Sequence, residues 1–134
     1  MRAFTLALAF AAMAAPLHAQ QGVAVDSAVF VERSKPAPGG VRRVVEPADV
    51  LRRGDRVVTI LRWDAPRGGS YTITSPVPTR LSFQKSSAEE IEVSTDGGRS
   101  WRRLDGAIVP ETVTHLRWRV GRGSGRLSYS AIVR

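Results

Sequence analysis

Cysteine is absent from all 134 residues. That excludes a disulfide framework, a thiolate metal site and a lipidated cysteine, so the fold has to hold through its core alone. Histidine is nearly missing as well, with only His18 and His115 in the chain, too few for a histidine-rich metal site. Lysine is scarce: Lys35 and Lys85 are the only two among 20 basic residues, and the rest are arginine. With much Ala, Gly and Val, such a bias is also what a GC-rich genome produces. No apolar run after residue 19 is long enough to cross a membrane, and no stretch shows helical periodicity.

What is present begins with a leader. Arg2, an apolar run from Ala3 to Ala15, and Pro16-Leu17-His18-Ala19 before Gln20 read as a secretory signal over residues 1–19. Its removal takes Arg2 and leaves 115 residues with 19 basic against 12 acidic side chains, a charge of +7. The expected compartment is the periplasm or the cell surface. A surplus of that sign attracts anionic partners such as an envelope polysaccharide. Nucleic acid is not expected, because the chain is exported and lacks a stacking-aromatic motif.

The chain after the leader alternates apolar and polar residues in short runs. Strands are expected over 23–31, 41–45, 56–63, 70–75, 80–84, 89–95, 99–104, 113–120 and 126–133. Residues 20–40 read as an N-terminal strand followed by a linker, where Ser34-Lys35-Pro36-Ala37-Pro38-Gly39-Gly40 stops the sheet. Residues 41–134 read as the sandwich domain proper, to which 20–40 contributes a strand at most. Period two is strictest in the last pair. Leu116, Trp118 and Val120 fall on one face and His115, Arg117 and Arg119 on the other, and Leu127, Tyr129, Ala131 and Val133 form the inner face of the closing strand. These two strands are expected to pair across Gly121-Arg122-Gly123-Ser124-Gly125. The fold class is all-β: an immunoglobulin-like sandwich of about 7–9 short antiparallel strands.

The chain is organised around Ser94-Thr95-Asp96-Gly97-Gly98-Arg99-Ser100-Trp101. Alternating residues enter and leave an Asp-Gly-Gly corner, which reads as a hairpin tip. Asp96 is expected to bond the backbone just ahead of it, and Trp101 to return a ring to the core with Trp118, Leu116, Tyr129, Ile91, Val93 and Leu61. Ser94, Asp96, Gly98, Ser100 and Trp101 also match the Asp-box of sialidases and other β proteins. There the box is a structural hairpin, and glycosidase chemistry needs two placed carboxylates in a larger cleft.

Five features in order resemble a bacterial conserved-repeat domain, domain of unknown function eleven, of secreted and surface-exposed proteins. They are Gly54-Asp55, Thr74-Ser75-Pro76-Val77-Pro78, Val93-Ser94-Thr95-Asp96-Gly97-Gly98, Val113-Thr114-His115-Leu116-Arg117-Trp118 and Gly125-Arg126-Leu127-Ser128-Tyr129. The resemblance spans roughly residues 41–134 and implies a β-sandwich and export, with no activity to transfer. Where that family has an Asn-rich turn, this chain has Trp63-Asp64-Ala65-Pro66-Arg67-Gly68-Gly69.

No catalytic residue, cofactor or metal ligand is assigned. Arg53-Gly54-Asp55 reads as a tight turn rather than an adhesion tripeptide, and Glu89, Glu90 and Glu92 as solvated charges rather than a calcium loop. The one functional signal is basic: Arg102 and Arg103 follow the hairpin tip, and Arg117 and Arg119 share a face with His115. Brought onto one sheet, they would form a guanidinium surface for phosphate or carboxylate. Spread out, they would pair with Glu89, Glu90, Glu92 and Asp105 and serve solubility. The expectation is therefore a non-enzymatic interaction or structural module of the cell envelope, with an unknown envelope protein as partner. The alternative is a binder of an anionic envelope polymer.

Overall fold

The computed structural model describes residues 23–48 and 50–134, so the expected leader lies outside the described residues. Among them are nine strands: β1 (Ala24–Ala37), β2 (Gly40–Pro47), β3 (Arg56–Ala65), β4 (Tyr71–Pro76), β5 (Leu81–Ser86), β6 (Glu92–Ser94), β7 (Arg102–Arg103), β8 (His115–Val120) and β9 (Gly123–Val133). One 3-10 turn, Pro110–Thr112, interrupts the β structure. The strands form two antiparallel sheets, in the orders β2-β1-β3-β9-β5 and β4-β8-β6-β7. The protein is an all-β sandwich. None of its described helices is long and apolar enough to cross a membrane.

The core is what alternation places between the sheets. Val57, Leu61, Phe83, Tyr129 and Ala131 come from the five-stranded sheet, and Ile73, Val93, Leu116 and Trp118 from the four-stranded one. Trp118 is 2% exposed, and its indole N–H donates to Ser86 Oγ at 3.2 Å. A bond from β8 to β5 thus joins the two sheets and satisfies a donor that burial would otherwise leave unpaired. The Tyr129 hydroxyl donates to the Pro76 carbonyl at 3.4 Å, a second tie between sheets, and burial pushes its phenol pKa up. Of the seven core residues expected, six are buried; Trp101 is not.

Two other expectations are corrected. First, β8 and β9 do not pair. β8 lies between β4 and β6, while β9 lies between β3 and β5 in the opposite sheet. Their inner faces meet across the core, and the chain changes sheet at Gly121-Arg122 instead of reversing in a hairpin. Gly125 is then not a turn residue but part of β9, opposite Trp63 of β3. A Cβ there would stand 2.9 Å from the Trp63 ring, so glycine makes room for the indole.

Second, the Pro/Gly-rich stretch does not stop β1 at Ser34. The strand runs to Ala37, turns at Pro38-Gly39 and returns as β2 in register from Ala37↔Gly40 to Phe30↔Pro47. Pairing of β1 with β3 ends at Glu32↔Arg56, so residues 33–37 and 40–44 form a two-stranded ribbon beyond the sheet. The Ala48 N–H donates to Val29 C=O at 3.2 Å, which sets the parity of the ladder. By that parity Pro36 falls on the side of β1 where β3 has already ended, and its missing N–H costs no ladder bond. The connection over 105–112 is only partly exposed, since Ile108 is buried against the core.

Replacing Trp118 by alanine removes both the ring and the bond to Ser86. Urea unfolding of Trp118→Ala should show a loss of about 3–5 kcal/mol relative to the parent. A loss under about 1 kcal/mol would contradict the face assignment of β8.

Candidate functional site

The outer face of the four-stranded sheet carries the candidate site. Along β8 the residues that do not enter the core are His115, Arg117 and Arg119, two apart and therefore on one side. Glu92 of β6 stands opposite Arg117 in the ladder, and Arg103 of β7 stands opposite Glu92 on its other flank. Cross-strand neighbours on one face are close enough to interact directly. Arg117 Nη2 donates to Glu92 Oε2 at 2.7 Å, and Arg119 Nε lies 3.7 Å from Glu92 Oε1. Arg103 Nη2 donates to Glu90 Oε1 at 3.2 Å. These residues and Ile91 line an open cleft of ≈ 450 Å³.

Trp101 completes this face. The Arg117 guanidinium carbon sits 4.3 Å from the centroid of the Trp101 ring, within cation–π range, and the ring meets His115 edge-on at 6.4 Å. The expectation that Trp101 enters the core is thereby corrected. The parity of the chain explains why: Trp101 and Arg103 share one side, and Arg103 faces solvent, whereas Arg102 and Leu104 share the other. Leu104 packs against the core. Arg102 is cross-strand from buried Val93 and reaches solvent only because β7 is the sheet edge.

The four arginines named as a binding set are therefore split. Arg103, Arg117 and Arg119 share a face, and Arg102 does not. The three that meet are held by two glutamates, so the face is of mixed charge rather than a bare guanidinium surface. Bonding to Arg117, ahead of the charges of Arg117 and Arg119, holds the Glu92 carboxyl below its ordinary value. Among the described residues no group of three or more side chains is arranged to hold a metal ion.

The hairpin tip folds as a network around one carboxylate. Ser94 is 1% exposed, and its Oγ donates to Asp96 Oδ1 at 2.7 Å while accepting the N–H of Gly98 at 2.8 Å. Asp96 Oδ1 also accepts the N–H groups of Arg99 at 3.1 Å and Ser100 at 2.9 Å, and its Oδ2 accepts the Ser100 hydroxyl at 2.5 Å. Gly97 and Gly98 take φ of 82° and 91°, where a side chain is strained. Thr114 Oγ1 accepts the Gly97 N–H at 3.0 Å and is 3.0 Å from His115 Nδ1, tying the tip to β8. Ser94, Asp96, Gly97 and Gly98 thus build the tip, and Trp101 leaves it to lie on the outer face. Arg53-Gly54-Asp55 is a turn too, closed by the Asp55 N–H donating to Arg52 C=O at 3.0 Å.

Comparison with protein-family models, with curated proteins and with solved structures returns no match to this chain.

The bonds from Ser100, then from Ser94 and Arg99, hold the Asp96 carboxyl far below the usual carboxylate range. A folded value below the unfolded one contributes stability above the unfolded pKa, and that contribution is lost as pH falls toward the folded value. Asp96→Asn should therefore be less stable at neutral pH and lose stability less steeply than the parent between about pH 5 and pH 2. Urea midpoints across that range measure it, and parallel curves would show that the carboxylate is not held by the tip. Gly97→Val should cost on the order of 1–2 kcal/mol in the same assay, from backbone strain alone.

Proposed function

We propose that this chain is an exported, non-enzymatic β-sandwich that serves as an interaction or structural module of a bacterial cell envelope. The observation that carries the reading is how the polar groups are committed. Asp96, the acid of the most enzyme-like motif, is spent on four hydrogen bonds within its own turn, while the outer face of the four-stranded sheet offers solvent an ordered row of paired charges beside a Trp ring. Fixed charges of both signs around an aromatic are suited to recognising a surface, and arginine and tryptophan are the residues that dominate such contacts. The ordered resemblance to the conserved-repeat surface domain supports the same role, and the leader-like residues 1–19 support export.

The second reading, retention by an anionic envelope polymer, draws on the net surplus of arginine and on the side chains of Arg43, Arg103 and Arg119, which are 74%, 72% and 75% exposed. Mixed charge on the Glu92 face favours the first. Fractionation of the native cells separates them: the envelope is washed in low and then high salt and blotted for the chain. Retention that resists high salt is expected for a protein partner held by a partly apolar contact. Release by salt alone would favour the polymer, since exposed charge pairs are screened. Hydrolysis of an envelope glycan abolished by one carboxylate substitution would overturn the non-enzymatic reading.

A further inference from the structure

Each sheet has two edges, and three of the four are guarded by short length, proline, a bulge or a cover. β7 is two residues long; β4 has six and closes on Pro76; β5 is broken by a bulge between Phe83 and Lys85 and lies against the Pro110–Thr112 turn. Short strands, prolines, bulges, covers and charged edge residues are the devices by which folded proteins keep edges from pairing. Before Pro47, β2 has only the last of these, in Arg42 and Arg43, and a basic edge repels another basic edge while leaving an acidic strand free to pair. It is eight residues long, pairs with β1 without a bulge, and has no neighbour on its other side among the described residues. Val41 and Val45 on it are 73% and 58% exposed. The ladder parity set by the Ala48–Val29 bond turns the N–H and C=O of Val41, Arg43 and Val45 outward, away from β1.

We propose that the outer edge of β2 is a docking site that accepts an extended acidic segment of a partner protein as an added strand. The inference rests on the interaction-module reading but not on the Glu92 face. Charge chooses the occupant. Over residues 33–46 the ribbon carries Arg33, Lys35, Arg42 and Arg43 against Glu46 alone. Arg42 and Arg43 are adjacent and so project from opposite faces of β2, within reach of both faces of an incoming strand. Arg42 makes no ion pair among the described residues, and Arg43 meets only Glu32, at 3.1 Å. A second copy pairing through its own β2 would set Arg42 and Arg43 beside their duplicates, and like charges across a ladder are unfavourable. A strand of alternating carboxylate and β-branched residues instead gains main-chain bonds from the three outward N–H and C=O pairs, contacts for Val41 and Val45, and ion pairs with the arginines.

The test uses the full chain and two labelled ten-residue peptides, one alternating Glu with Val and Thr, the other with Lys in place of Glu. Fluorescence anisotropy measures binding, and amide exchange measures protection. The Glu peptide is expected to bind, the Lys peptide not, with protection gained at Val41, Arg43 and Val45. Val45→Pro removes one outward N–H without touching the β1 ladder and should weaken binding about tenfold. Should that variant fold poorly by circular dichroism, the double variant Arg42→Glu with Arg43→Glu should invert the preference toward the Lys peptide. Absence of binding, or binding without protection in β2, overturns the inference. So does protection of β2 in the free chain that rises with protein concentration, which would make a second copy the occupant. Envelope retention abolished by Arg117→Ala but untouched in the β2 variants would leave the module reading standing and remove the edge from it.

Discussion

The buried indole of Trp118 is where the two sheets become one domain. With no cysteine to cross-link them, the sheets are held by interdigitated side chains, and this ring adds a directional bond from β8 to Ser86 on β5. Such a bond is worth little in net energy but much in specificity. Leaving the N–H buried without Ser86 would cost about 1–3 kcal/mol, so the sheets settle where the two groups meet. Leu116 beside it is wholly buried, and Phe83 and Tyr129 pack with their centroids 6.3 Å apart on the facing sheet.

That placement of β8 also determines the outer face. Because side chains alternate, fixing Leu116, Trp118 and Val120 inward fixes His115, Arg117 and Arg119 outward, and a slip of one residue would exchange the two sets. The ladder then brings Glu92 to Arg117, and the tip built on Asp96 delivers Trp101 onto the guanidinium. Core and candidate site are two sides of one strand. A mutation that loosens Trp118 is therefore also a mutation of the charge row.

Strands, their inner faces and the tip were legible because each is a local property: period two, a Gly-Gly corner, an aspartate able to bond forward. What was not legible is which strand lies beside which. Leu116-x-Trp118-x-Val120 and Leu127-x-Tyr129-x-Ala131 each announce an apolar face, and two such faces satisfy their burial equally well side by side in one sheet or opposed across a core. Five residues rich in glycine between them suggested a turn, but Gly125 answers to a neighbour 62 residues earlier in the chain, Trp63. Pro36 misled for a similar reason, since its effect on a sheet depends on whether a third strand is present to miss its N–H. Trp101 is a different case. Its parity with Arg103 is a local property legible in the sequence, and it outweighs the general affinity of tryptophan for cores. Of the four arginines, the same parity separates Arg102 from the other three.

The arginines also divide by what holds them. On the Glu92 face they are anchored over a sheet whose other side is buried, so the core supplies the order and the ion pairs only align it. On the ribbon of β1 and β2 there is no core beneath. Glu32 meets Arg43 and Arg56, Glu46 meets Arg33 and Lys35, and Asp55 lies 3.5 Å from Arg33, so charge pairs join strands that apolar burial does not. Exposed pairs of this kind are individually weak and screened by salt. An isolated two-stranded ribbon is marginal on its own account, and a third strand is the usual remedy. Two strands of five residues extended past the sheet, held by exposed charge and edged with valine, are unfavourable as a free surface and become favourable as two-thirds of a three-stranded one.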